Sequence, residues 1–144
     1  MGHRDKVKKL GRTRPHREAM LSNMAMSLVQ HRMIKTTDAK AKALRPVVDR
    51  LVRTAKLGTL ASKRQVAKTI HVKEVFKKFY DEVVPHFADR DSGYTRVMKL
   101  GVRRGDGAPM SIVELLTPKP AEKEAKGKKG RKAEKGAGKA KAAQ

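Results

Sequence analysis

The sequence predicts an α+β fold: several helices packed on a small mixed sheet of about three strands, with a basic N-terminal arm and a disordered lysine-rich C-terminal tail. Three observations predict it. Apolar residues recur at helical spacing in four stretches between residues 15 and 84. Three short β-type runs lie at 32–37, 94–100 and 110–116. Both ends of the chain carry many cations and almost no apolar bulk. The organisation that follows is an extended arm over residues 1–14, a globular domain over 15–118 and a tail over 119–144.

The arm reads GHRDKVKKLGRTRPHREAM. Seven of the first seventeen residues are Lys or Arg, opposed only by Asp5. Neither helical nor alternating period is visible before residue 14. At Pro15 the pattern changes. Proline suits the first turn of a helix, where a missing N–H costs nothing. Met20, Leu21, Met24, Leu28 and Val29 then form a stripe, so residues 15–31 read as an amphipathic helix whose methionines pack a core. RMIKTT, residues 32–37, is rich in β-branched side chains and reads as a strand. Thr37 followed by Asp38 signals the next helix: a hydroxyl cap, then an acid facing the positive end of the helix dipole. Leu44, Val47, Val48, Leu51, Val52 and Ala55 carry it to Lys56, with Gly58 as the stop and a kink expected at Pro46.

LASKRQVAKTI, residues 60–70, is a weaker helix. HVKEVFKKFYDEVV places Val72, Val75, Phe76, Phe79, Tyr80 and Val83 on one stripe ended by Pro85. DRDSG is turn sequence, in which Asp89, Asp91 and Ser92 serve the backbone. GYTRVMKL sets Tyr94, Arg96, Met98 and Leu100 on one side of a strand and Thr95, Val97 and Lys99 on the other. GVRRGDGAP is a glycine-rich basic tip, and MSIVELL is the partner strand. Beyond Pro118 the chain contains no large apolar side chain, so ordering entropy has nothing to offset it.

Charge decides the functional class. The 144 residues contain 36 Lys and Arg against 14 Asp and Glu, a formal net charge of +22. Residues 119–144 hold ten cations and three acids, +7, which leaves +15 on residues 1–118. The folded part must therefore present basic faces itself. A charge on this scale is tolerable when a polyanion is the usual neighbour, which points to nucleic acid.

Several classes are excluded. There is no cysteine, hence no disulfide, thiolate metal site or cysteine nucleophile. Of the five histidines, no two lie three to five residues apart, so no zinc pair shares a helix turn. No convergent catalytic constellation and no phosphate loop of the GxxxxGK type is present. The apolar runs fall short of the roughly 18 residues a membrane helix needs, and no secretory leader is visible. The expectation is a soluble, cytoplasmic, non-enzymatic protein without cofactor, metal, membrane insertion or small-molecule substrate.

Three basic elements are candidate RNA contacts: the arm, the tip around Arg103 and Arg104, and the tail. Arginine makes bidentate bonds to phosphate, and glycine lets the backbone approach a polyanion closely. The cations scatter over arm, helices and loop rather than concentrating on one exposed helix. That suits irregular RNA contacted by backbone and shape. Only Tyr94 lies on a strand as an aromatic, so a base-stacking sheet is not expected. A nucleoid-type non-specific DNA-binding protein is the alternative.

Several long collinear segments resemble the L-seventeen family of bacterial large-subunit ribosomal proteins. They are HR near the start, LGR, HREAMLSNMAMSLVQH, IKTTDAKAKALR and GYTRVMKLGVRRGDGAPMSIVEL, together spanning about residues 3–117. The chain departs from the family in the Asp5–Lys8 stretch and in the extension after Pro118. The resemblance implies an α+β domain that binds large-subunit rRNA near the peptide exit tunnel, beside neighbouring ribosomal proteins, with a structural role in assembly and translation. Carried onto this chain, the implied contacts are His3, Arg4, Lys9, Arg12, Arg14, His16, Arg17, Lys35, Thr36, Lys40, Lys42, Tyr94, Arg96, Arg103 and Arg104.

Overall fold

Pro15 in its first turn and an apolar stripe along its length make the first helix, α1 (Arg14–His31), in a computed structural model that describes residues 8–117. Ala25, Met26, Leu28 and Val29 are buried, and Leu21 and Met24 flank them. The helix ends at Arg32, which takes the left-handed conformation (φ 65°) and donates its N–H to the Leu28 carbonyl at 2.8 Å. A non-glycine residue there costs of order 1–2 kcal/mol. Compensation comes from the Arg32 side chain, which is 6% exposed. Its guanidinium bonds Glu82 and, at 3.4 Å, the Thr117 hydroxyl. Arg32 was expected to open the strand; it is a buried corner instead, and strand β1 runs Met33–Thr37.

Helix α2 (Asp38–Lys56) runs uninterrupted through exposed Pro46 and buries Ala41, Leu44, Val48, Leu51, Val52 and Ala55. Thr37 sits at its N-cap, but the threonine hydroxyl makes no capping bond. Asp38 takes over the charge role in the first turn, held by Lys42 at 2.7 Å and by the Ser111 hydroxyl at 3.1 Å. Helix α3 (Leu60–Ala67) is capped by Thr59, whose hydroxyl accepts from the Ser62 N–H at 3.2 Å.

The stripe from residue 72 does not form a single α-helix. Helix α4 (Lys73–Lys78) passes into a π-type turn (Phe79–Val83) and a short 3₁₀ turn (Pro85–Phe87). Phe79, Val83 and Phe87 are all buried, and Glu82 is brought to Arg32 from the π turn. The segment thus buries Phe79 and Val83 while its Glu82 reaches Arg32.

The sheet completes the fold. Strands β2 (Thr95–Val102) and β3 (Pro109–Leu115) form a hairpin, and β1 pairs with the other side of β3, giving the order β1-β3-β2. Every pairing is antiparallel, so the sheet is not mixed as the sequence suggested. Val113 faces Ile34 and Val97 across the ladders, and with Ser111 and Leu115 it lies on the helix-covered side. Met33, Lys35, Arg96, Met98, Ile112 and Glu114 belong to the opposite face. A bulge between Lys99 and Gly101 twists the hairpin before its tip.

Removing the acid of the Arg32 pair leaves a buried guanidinium without its anion. Because Glu82 is 49% exposed, the penalty is discounted from that of a fully buried pair. Glu82→Gln is expected to lower unfolding free energy by about 2 kcal/mol in urea denaturation, with the m-value unchanged.

Candidate nucleic-acid interface

Chain direction gathers the cations. His16 and Met20 of α1 line one cleft with Lys35 and Thr36 of β1, so the start of α1 lies toward the Thr37 end of β1, where α2 begins. Thr37 pairs with Met110, and Met110 pairs with Gly101 at the foot of the hairpin tip. The arm, the start of α2 and the tip therefore share one end of the sheet. The other end is closed by Arg32 and Leu115, whose N–H donates to the Arg32 carbonyl at 2.8 Å.

At the cationic end the described part of the arm is a tight turn, not an extended segment. Leu10 and Gly11 both have positive φ, and Arg12 donates its N–H to the Lys9 carbonyl at 3.2 Å. Arg17 holds this turn to α1, donating to the carbonyls of Lys9 at 3.5 Å and Arg12 at 3.4 Å. The Arg12 guanidinium bonds the Leu10 carbonyl at 2.8 Å, and its buried Nε has no partner among the described residues. Exposed Arg14 pairs with Glu18 at 2.8 Å one turn along. His3, Arg4 and the tail 119–144 lie outside the described residues.

His16 on α1, with Lys35 and Thr36 on β1, lines one cleft between helix and strand. Lys40 and Lys42 follow on α2, where Lys42 draws the Asp38 carboxyl below its ordinary value, helped by Ser111 and Lys99. Lys99 lies outside the set derived from the sequence, which only groups it with Thr95 and Val97 on one side of the strand; the fold carries it to Asp38 at the start of α2. Arg96 is exposed and stands opposite Glu114 on the outer face of the sheet.

Tyr94 requires a correction. It is fully buried, its ring lies 5.0 Å from that of Phe87, and its hydroxyl donates to the Asp91 carbonyl at 2.8 Å. It precedes β2, so the alternation that grouped it with Arg96 and Met98 does not reach it. A ring in this position packs the core and leaves the contact set.

The hairpin tip is organised from within. Arg103 donates its N–H to the Ala108 carbonyl at 2.8 Å and accepts from the Gly107 N–H at 3.0 Å. Gly105 and Gly107 hold positive φ of 107° and 62°, which side chains resist. The Arg103 guanidinium forks onto Asp106 at 3.0 and 2.5 Å, and Asp106 also accepts from the Ala108 N–H at 3.3 Å. Arg103 thus shapes the loop, and Arg104 beside it is exposed and has no ion pair among the described residues. Among the described residues no cluster of His, Cys, Asp or Glu could hold a metal, and no helix is long and apolar enough to cross a membrane.

Fold and surface together define a class: a small basic α+β protein that offers an assembled cationic end rather than a reaction centre. The family model described as ribosomal protein L17 matches residues 20–116. The large ribosomal subunit protein bL17 of Geobacter metallireducens is 44% identical over 128 residues, covering 89% of this chain and 72% of the relative. The bL17 proteins of Syntrophotalea carbinolica and Geotalea daltonii are 47% and 46% identical over 116 residues, each covering 81% of this chain and respectively 75% and 64% of the relative. The chain belongs to the ribosomal protein L17 family, a family of structural proteins rather than enzymes.

Hydrogen bonding to Arg103, reinforced by the Ala108 N–H, holds the Asp106 carboxyl down from its ordinary 3.8 to about 2. Its pairing is therefore complete above pH 4 and is lost as pH falls through about 2. Carboxyl NMR should report that midpoint in the intact protein. Asp106→Asn should speed amide exchange at Gly107 and Ala108 at neutral pH while leaving exchange in α2 unchanged.

Proposed function

We propose that this chain is a structural constituent of the bacterial large ribosomal subunit, in the cytoplasm, that binds large-subunit rRNA and supports its folding during assembly. The observation that carries the reading is the convergence of arm turn, α2 start and hairpin tip at one end of the sheet. Lys9, Arg12, Arg14, His16, Arg17, Lys35, Thr36, Lys40, Lys42, Arg103 and Arg104 supply that end, and Lys99 joins them. Arg96 contributes from the outer sheet face, and His3 and Arg4 complete the proposed set. The family names of the relatives support the ribosomal setting; a position near the exit tunnel and contact with neighbouring ribosomal proteins are part of the same proposal.

The geometry suggests a division of labour. Arg17 and Arg103 spend their hydrogen bonds on backbone and on Asp106, so they preset the shapes of two loops. Arg104 and Lys9 are exposed and positioned by those loops, so they meet phosphate. Preset loops reduce the ordering cost that a fully flexible basic segment incurs on binding. The cations of residues 1–7 and 119–144 add to the net positive charge that draws the chain to a polyanion. With on the order of ten phosphates neutralised, affinity falls steeply with salt.

Sucrose-gradient fractionation should recover the chain with large subunits, and recovery only in the free soluble pool would reject the reading. Folded rRNA fragments should outcompete duplex DNA; a duplex preference would favour a nucleoid protein. Arg104→Ala should reduce the log–log salt slope of rRNA binding by about one. Tyr94→Phe, which removes only the bond to Asp91, should leave that slope unchanged.

A further inference from the structure

β1 is an edge strand, bonded to β3 on one side only. The bond from the Leu115 N–H to the Arg32 carbonyl fixes the phase of the ladder. In an antiparallel pair the bonding residues alternate. Arg32, Ile34 and Thr36 therefore direct their backbone groups to β3, and Met33 and Lys35 direct theirs to the open side. Among the described residues nothing donates to or accepts from those outward groups. An open edge of this kind is normally blunted or covered, because it templates another strand.

Beside the open edge lies a cleft of about 510 Å³ between β1 and α1. Its apolar lining comes from Met20, Met24 and Ile34, and its polar rim from His16, Asn23 and Lys35. No carboxylate lines it, and its one aromatic ring is the His16 imidazole at the rim. Each feature narrows the occupant. Main-chain donors and acceptors at strand spacing are matched by another extended polypeptide. Methionines give an adaptable apolar seat for its alternate side chains. A cationic rim without acids favours a segment bearing a carboxylate. RNA finds only the His16 imidazole to stack on and brings no extended main chain to the edge, and a second copy would bring another net charge of +22 against this one.

We propose that the open edge of β1 and the α1–β1 cleft receive an extended segment of a different protein of the large subunit, about five residues long, added antiparallel or parallel to β1 as a fourth strand. The segment alternates apolar side chains into the cleft and carries a carboxylate near Lys35. The proposal rests on large-subunit membership, and at the cleft rim the segment shares His16, Lys35 and Thr36 with the proposed rRNA contacts.

The test uses large subunits purified from cells whose only copy of this chain carries a photo-crosslinking phenylalanine in place of Asn23, an exposed residue at the cleft. Absence of the chain from the particles overturns membership and this proposal together. With the chain present, the expected product is one cross-linked protein, whose linked peptide is apolar in alternation and contains Asp or Glu. A cross-link to rRNA alone, to a second copy of this chain, or to nothing overturns the strand. Amide exchange provides a reading without substitution: Met33 and Lys35 should be protected at least tenfold more in the particle than in the free protein, and equal exchange overturns the proposal. Finally, Lys35→Pro removes an outward N–H, which edge strands tolerate, whereas Lys35→Gln keeps it and loses the same charge. Cross-link yield should fall at least tenfold for the proline variant relative to the glutamine variant; equal yields overturn strand addition.

Discussion

The buried guanidinium of Arg32 is the constraint around which the domain is arranged. It sits where α1 ends, where β1 begins, beside the last residues of β3 and against the π turn that carries Glu82. A cation can occupy that place only if its anion arrives with it. The π turn supplies the anion, the left-handed corner supplies the direction, and the Leu115 N–H closes the ladder on the Arg32 carbonyl. Fixing this corner fixes the direction of β1 relative to α1. That direction in turn decides which loops share the cationic end.

Acids are scarce in this chain, and several of them serve to position cations. Glu18 holds Arg14, Asp38 holds Lys42, Glu82 holds Arg32 and Asp106 holds Arg103. The exposed pairs add little to stability by themselves. Their effect is to select one rotamer and one loop shape from many, so that the unpaired cations between them point in a defined direction. A strongly basic protein thereby keeps a specific surface rather than a diffuse positive cloud.

Much of the architecture was legible in the sequence because the apolar residues keep period. Leu44, Val48, Leu51 and Val52 marked α2 and its buried face, and the β-type run MSIVELL marked β3. Period fails where the backbone changes its count. The wide turn at Phe79–Val83 has the same apolar spacing as a helix, and Tyr94 stands one residue before its strand starts. Arg32 was illegible for a different reason: its partner lies fifty positions away, and an arginine between a helix and a strand reads as surface. At the candidate site, the charges were visible but their division into loop-shaping and free groups was not. That division depends on which carbonyl or carboxylate each guanidinium reaches.

The middle strand of the sheet is the last one among the described residues. During synthesis β1 and β2 emerge with nothing to pair with, and the residues that join at the Arg32–Thr117 corner are 85 positions apart. Helices can form as they leave the tunnel, but the sheet must wait until almost the whole domain is out. For a newborn polypeptide of this charge, that delay exposes an unfinished, strongly cationic intermediate to every free polyanion in the cell. Mutual repulsion between such nascent copies is then a safeguard against clumping while the final ladder zips shut.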